Sequence, residues 1–272
     1  MELASRFRDA HVLRSNSPLS DDQIRAVAPS IFAEEKHTSR SARYTYIPTI
    51  DVLAGLKKEG FQPFMVCQTK TRDESRSEFT KHLLRLRHAD QINGDEANEI
   101  ILLNSHDGTS SYQMLAGCFR FVCQNGMVRG NTTHDIRLPH KGNIVNDVIE
   151  GAFTVLDEFE DMAGEVEGMK ALPLTTEEQG IFARHALAAK YEDRAAPITQ
   201  EQALRARRFE DRGSDLWSTF QRVQENVIKG GLQARTANGR HTRTRPVQGI
   251  DQSVRLNRLL WSLAQEMRAL KA

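Results

Sequence analysis

The chain has 272 residues, enough to bury one large core or two modest ones. Its 37 basic and 36 acidic side chains nearly cancel, so net charge names no partner, and three cysteines give no disulfide framework. No stretch has the length and apolarity of a membrane span, and the N-terminal MELASRFRDAHVLRS lacks the apolar run of a signal peptide, so a soluble protein of the reducing cytoplasm is expected.

Residues 1–42 are polar and poorly periodic, with Ser15-Asn16-Ser17-Pro18 reading as a turn. A helix is predicted from Asp21 to Phe32, capped by Ser20, with Ile24, Val27, Ala28 and Ile31 as its apolar stripe. Tyr44 to Ile47 is a short β-prone run, and Thr49 is placed as the cap of a brief helix over Ile50 to Lys58 that stops at Gly60. Strands are predicted over Phe64 to Thr71, Thr80 to His88 and Glu99 to Asn104. A hairpin follows in His106 to Met127, where Asn125-Gly126 carries the signature of a tight turn.

The period then changes. Val145, Val148, Ile149, Ala152, Phe153, Leu156, Phe159 and Met162 recur at three and four residues, the stripe of a long amphipathic helix. Further helices are expected over Thr175 to about Tyr191, from about Thr199, from Ser214 or Asp215 to Gly230, and from Ile250 to Leu270. Gln233 to Val247, low in hydrophobicity, reads as a mobile loop. The organisation is a helical or extended segment over 1–35, an α+β core with a basic face over 36–168, and a helical region over 169–272 with a basic mobile loop at 229–246.

Charge is segregated along the chain. Lys36 to His88 holds eleven Lys and Arg against five acids, Asp147 to Glu167 holds eight acids and no cation, and Lys229 to Arg245 holds five cations and no acid. This suits an anion-binding face with a repelling face opposite, or blocks that neutralise one another. On the strand over 81–88, period-two alternation puts Lys81, Arg85 and Arg87 on one face with Leu83, a row that fits a phosphate backbone or keeps a solvent-facing strand soluble. Arg120 extends the same basic face from the hairpin or pairs with a buried acid. The segment from Arg235 to Arg245 carries Arg240 and Arg243 among Thr, Asn and Gly, and arginine forks grip phosphate oxygens.

No catalytic set assembles from the sequence. His106-Asp107 resembles half of a phosphohydrolase metal set, but the remaining histidines supply no matching pattern, and Asp107-Gly108 reads as the start of a turn. Cys118 and Cys123 lie five apart on a strand and point to opposite faces, which argues against a shared metal. There is no phosphate-binding loop and no nucleophile elbow. Trp217 and Trp261 sit on apolar helix faces and read as core.

Arg43-Tyr44, Ile47-Pro48-Thr49, His106-Asp107-Gly108-Thr109 and the run from Gly117 to Gly126 together resemble a phage- and plasmid-borne family of uncharacterised YfjQ/YafZ-like proteins with a domain of unknown function. The resemblance covers nearly the whole chain and assigns no catalytic residue; its mobile-element setting implies recombination, replication or countering host defence. Tyr46-Ile47-Pro48, a short helix, Gly60-Phe61, a β-meander and a long helix also resemble, in element order only, the RecT/Redβ-like single-strand annealing proteins. That likeness implies a helix and curved sheet lining a basic groove, and assembly into rings or filaments.

The expected fold is therefore α+β: a curved antiparallel sheet packed by a long amphipathic helix, with a helical C-terminal region. The expected function is non-enzymatic binding, and annealing, of single-stranded DNA in recombination or replication of a prophage or plasmid. No cofactor, metal or membrane is involved; the partners are single-stranded DNA, further copies of the chain, and a host or phage replication or recombination protein. Arg40, Arg43, Lys70, Arg72, Lys81, Arg85, Arg87, Arg120, Arg235, Arg240, Arg243 and Arg245 are the candidate contacts. The alternative is an anti-restriction module that presents the acidic helix to a host protein, and a metal-dependent hydrolase ranks last.

Overall fold

A computed structural model describes residues 10–40, 46–88, 90, 92–93, 96–120, 125–128, 144–192 and 194–271. The chain forms two compact units, one of residues 1–127 with 132–159 and the other of 128–131 with 160–272. Among the described residues no helix is long and apolar enough to cross a membrane.

The first unit is built on an antiparallel sheet. Its strands are β1 (Ala10–Arg14), β2 (Phe61–Thr69), β3 (His82–His88), β4 (Ile92–Asn93), β5 (Glu96–Asn104), β6 (Gln113–Arg120) and β7 (Asn125–Val128), in spatial order β1-β2-β3-β5-β6-β7 with the short β4 pairing β5. The sheet curls into a half-barrel. Arg85 on β3 donates from Nη1 to the Met127 carbonyl on β7 at 3.3 Å, although the two strands are three positions apart. Flat spacing would separate those strands by about 14 Å, beyond an arginine side chain. Gly117 contributes to the closure, since a Cβ there would lie 2.7 Å from the Ile101 side chain and 3.1 Å from the Met127 carbonyl.

Both faces of the central strands are buried. One carries Leu84, Leu86, Val66, Ile100, Leu102 and Met114, and is covered by α1 (Asp21–Val27), a 3-10 turn (Pro29–Phe32) and α2 (Thr49–Lys58). The long helix α3 (Ile144–Lys170) brings Phe153 against Phe61 of β2, ring centroids 5.9 Å apart. The α+β class with a curved sheet and a long helix is thus present.

A chain of polar groups crosses the helix-covered face. Asn104 Nδ2 donates to Thr49 Oγ1 (3.0 Å), Thr49 Oγ1 lies 2.9 Å from His82 Nε2, His82 Nδ1 lies 2.8 Å from Ser30 Oγ, and Ser30 Oγ donates to Gln68 Oε1 (2.7 Å). Each hydroxyl has a single proton, so Ser30, spending its own on Gln68, must accept from His82. His82 is therefore the neutral Nδ1–H tautomer, and its Nε2 accepts from Thr49. Burial, reinforced by the neighbouring His106, pushes its pKa down to about 3.

Local departures from the expected elements have physical causes. The helix starting at Asp21 has the expected Ser20 cap, which the structure completes as a capping box with Gln23, but it stops at Val27 because Pro29 cannot donate to the next turn. Thr49 does not cap α2 with its side chain; Pro48 is the N-cap, and the Thr49 hydroxyl is spent on His82. β1 has no apolar alternation of its own and forms by pairing with β2. Asn125 and Gly126 lie inside β7 rather than in a turn; the β6–β7 connection, 121–124, falls outside the described residues, as does Cys123.

The second unit is helical: the C-terminal part of α3, α4 (Thr176–Tyr191), α5 (Gln200–Ala203), α6 (Leu216–Lys229) and α7 (Ile250–Lys271). Thr175 and Glu178 form a capping box on α4, and Asp215 caps α6 through the Ser218 amide. Trp217 stacks on Phe220 at 5.3 Å, and Phe220 meets Trp261 edge-on at 6.1 Å, so both tryptophans are core. α6 is buried nearly all round, including its polar residues. Three of those residues are paired, Glu225 with both Nη atoms of Arg208 at 2.8 Å, Gln224 with Asn257, and Asn226 with the carbonyls of Ala203 and Arg205, whereas Gln221 Nε2 is buried with no hydrogen-bond partner among the described residues. Burial alone would push Glu225 up, but Arg208 and Lys229 hold its carboxyl below the usual range.

The segment expected as a mobile loop is instead a two-stranded antiparallel ribbon, β8 (Gln233–Arg235) and β9 (His241–Arg243). It leaves α6 at Gly230, whose φ of 62° and ψ of −146° suit glycine.

Candidate nucleic-acid interface

The cations expected on β3 are brought together, but not toward solvent. Arg85 and Arg87 share a face with Leu83, as alternation requires, yet that face lines the inside of the curled sheet and both are buried. Arg85 Nη1 lies 2.6 Å from Glu99 Oε2 and Arg87 Nε lies 2.8 Å from Glu99 Oε1, with Glu99 wholly buried on β5. The Arg87 guanidinium also lies over the Phe64 ring at 4.4 Å. Arg14, opposite Met65 on β1, belongs to the same cluster: burial, then the nearby Arg85, lowers its pKa to about 10. Burial raises the neighbouring Cys67 thiol to about 12. The solvent-facing row expected of this strand is not present. Two arginines tied to one buried carboxylate are a structural ion triad.

The other candidates of the first unit are scattered. Arg40 is half-buried against Gly108, where an added Cβ would lie 2.7 Å from its Nη1. Lys70 and Arg72 are exposed in the β2–β3 connection, interleaved with Asp73, Glu74 and Glu78, and Arg76 there pairs with Asp73. Lys81 is half-buried just before β3, and Arg120 stands directly across from Glu96 in the β5–β6 register. Arg43 lies outside the described residues.

The HDGT motif is a locked turn. Asp107 Oδ1 accepts from the backbone amide (3.0 Å) and hydroxyl (2.6 Å) of Thr109, and Gly108 has a φ of 76°. His106 is buried between Tyr46 and His82, ring centroids 5.0 and 5.1 Å away, and burial lowers its pKa to about 4. Among the described residues no group of three or more His, Cys, Asp or Glu is disposed to hold a metal ion.

The four arginines of the second unit are arranged differently. The β8–β9 register pairs Gln233 with Arg243, Ala234 with Thr242, and Arg235 with His241. Cross-strand partners share a face, so Arg235, His241 and Arg243 project together while Ala234, which is buried, faces the body of the unit. Arg240 sits where the ribbon turns, and Arg245 continues the outward alternation beyond the buried Thr244. All four arginines are exposed, and among the described residues none is in an ion pair. Outward residues two apart on a strand are about 6–7 Å apart, a spacing open to successive phosphates of an extended strand. The sequence singled out these arginines through the acid-free run; it did not reveal the ribbon that aligns them, because three-residue strands have almost no periodic signal.

On α3, Glu165 pairs with Arg268 (2.5 Å) and Glu167 with Lys170 (2.7 Å), whereas Glu150 and Asp161 are exposed. The acidic run is therefore partly neutralised within the chain.

A curled sheet covered by helices in one unit, and helices with a cationic two-stranded ribbon in the other, make this an α+β protein. The chain belongs to the family described as Domain of unknown function (DUF932), which matches residues 36–261. It is 52% identical to UPF0380 protein YfjQ and to UPF0380 protein YafZ of Escherichia coli (strain K12), each over 265 residues covering 97% of both chains. No solved structure matches, and the likeness to RecT/Redβ-like annealing proteins gains no support from these relatives.

Proposed function

We propose that this protein is a non-enzymatic DNA-binding protein that takes single strands through the β8–β9 ribbon, and that it serves strand annealing in recombination or replication of a mobile element. The observation that carries this reading is the ribbon's outward row of Arg235, Arg243 and Arg245, with Arg240 at its turn, none of them in an ion pair among the described residues. Guanidinium groups held on the backbone phosphates leave the bases open for pairing with a second strand. Arg85 and Arg87 have no part in the contact, because drawing them out would strand Glu99 as a buried charge.

Fluorescence anisotropy with an oligo(dT) and a duplex of equal length, at two salt concentrations, tests the proposal. Single-strand affinity is expected to fall with salt at a log–log slope of about −0.7 per phosphate contacted. Replacing Arg235, Arg240, Arg243 and Arg245 by serine is expected to shallow that slope by about 2.8 while leaving the fold intact. A wild-type protein that retards neither oligonucleotide at low salt, or a quadruple variant with unchanged affinity and slope, would overturn it. Recovery of a stoichiometric protein partner from nuclease-treated lysate, with no oligonucleotide affinity, would favour the acidic-helix reading instead.

A further inference from the structure

Phe209 is 75% exposed, and among the described residues Phe153, at 42%, is the only other exposed phenylalanine. Its surroundings are cationic. The Arg212 guanidinium stands over its ring, 5.2 Å from the centroid, and Arg205 and Arg207 are exposed on the same segment with no ion pair among the described residues. Glu210 is the one exposed acid among these residues.

The segment is fixed rather than loose. Arg207 donates to the Asn226 side chain and to the Gly230 carbonyl, both at 2.6 Å. Arg208 is clamped on Glu225 and Asp211 at 2.8 Å, and Arg222 holds the carbonyls of Asp211 and Gly213. These contacts lay residues 203–213 along α6, descending from the base of the ribbon. Glu225 and Gly230 are five residues apart on that helix, so the carboxylate that clamps Arg208, the residue before Phe209, is about 7.5 Å from the ribbon base along its axis. The Gln202 side chain donates to the Gln233 carbonyl and joins the same segment to β8.

We infer that Phe209 is a base-stacking platform continuous with the ribbon: a single strand whose phosphates lie on the ribbon arginines places a base on the Phe209 ring, flanked by Arg212. This rests on the DNA-binding reading above and sharpens it to unpaired strands. A duplex hides its base faces, whereas every unpaired base has a π face to offer. Anchoring of the flanking residues to α6 lowers the ordering cost of the contact.

Oligo(dT) and duplex affinities of Phe209→Ala and Phe209→Trp, measured beside wild type, test the inference. Phe209→Ala is expected to weaken single-strand binding by about 5- to 150-fold, with duplex binding unchanged, and Phe209→Trp to retain or tighten it. Thermal melts are expected to be unaltered, because the side chain is outside the core. Single-strand affinity of Phe209→Ala within twofold of a binding wild type would sink the platform and leave the ribbon standing. Equal losses on single strands and duplexes would sink it too, as would an altered oligomeric state with unaltered DNA affinity. Wild type that binds neither oligonucleotide would remove both readings together.

Discussion

Glu99 holds the interior of the half-barrel by accepting from two arginines, Arg85 at 2.6 Å and Arg87 at 2.8 Å, with no access to water. Removing one partner of a buried ion group leaves an unpaired charge at low dielectric, which outweighs the attraction lost. Glu99→Ala should therefore cost about 3–5 kcal/mol of stability in urea unfolding. Arg85→Ala paired with Arg87→Ala should also destabilise the fold, and any loss of DNA affinity in that variant should track unfolded protein. Residual folded protein, separated by gel filtration, is expected to bind oligo(dT) as wild type does. A folded double variant with selectively weakened single-strand binding would return these arginines to the interface.

At the scale of elements, Gly230 is the joint between α6 and the ribbon. Its φ of 62° and ψ of −146° lie in a region essentially restricted to glycine, and an added Cβ would meet the Thr244 carbonyl oxygen and the Arg245 carbonyl carbon at 2.7 Å. Gly230→Ala is expected to cost about 1–3 kcal/mol and to weaken oligo(dT) binding by misplacing the ribbon, even though no cation is removed. Equal affinity with a lowered melting point would separate the ribbon from the interface. How far such elements are legible in sequence depends on what stabilises them. α4, α6 and α7 are visible because their caps and apolar periodicity are local. β1 and β7 are not, because curl and pairing with distant strands define them. The alternation on β3 correctly groups Leu83, Arg85 and Arg87, yet it cannot say which face meets water. Leu83 on that face, and Glu99 directly before the apolar run Ile100 to Leu103 of β5, were the available hints of an interior. For the candidate site, the acid-free stretch exposed the ribbon arginines, but Phe209 had no signal until its exposure and the pinning of its segment were known.

At the scale of the molecule, two buried imidazoles make stability dependent on acid. His106 and His82 are held neutral, with pKa values lowered by burial to about 4 and about 3, while in the unfolded chain both titrate near 6.5. The unfolded state therefore binds more protons than the folded one as pH falls below 6.5. Stability from the neutral rings is complete above that pH and is lost on descent toward the folded values. Between about 6.5 and 4 each ring removes about 1.4 kcal/mol per pH unit, so the urea midpoint should drop steeply from pH 7 to pH 5. The two residues contribute in different ways. His82 is tied by hydrogen bonds to Thr49 and Ser30, whereas among the described residues neither ring nitrogen of His106 meets a partner in hydrogen-bond geometry, and the Ser30 backbone near it only partly offsets the effect of burial. His106→Phe keeps a ring between Tyr46 and His82 without desolvating two nitrogens, so it should match or exceed wild-type stability at pH 8 and show a shallower decline toward pH 5. His82→Phe removes the hinge of the polar chain and leaves the Thr49 and Ser30 hydroxyls without their imidazole partner, costing about 1–3 kcal/mol at every pH. An unchanged acid slope in both variants would assign the proton uptake to other groups, and a loss at pH 8 in His106→Phe would mean that its nitrogens are bonded after all.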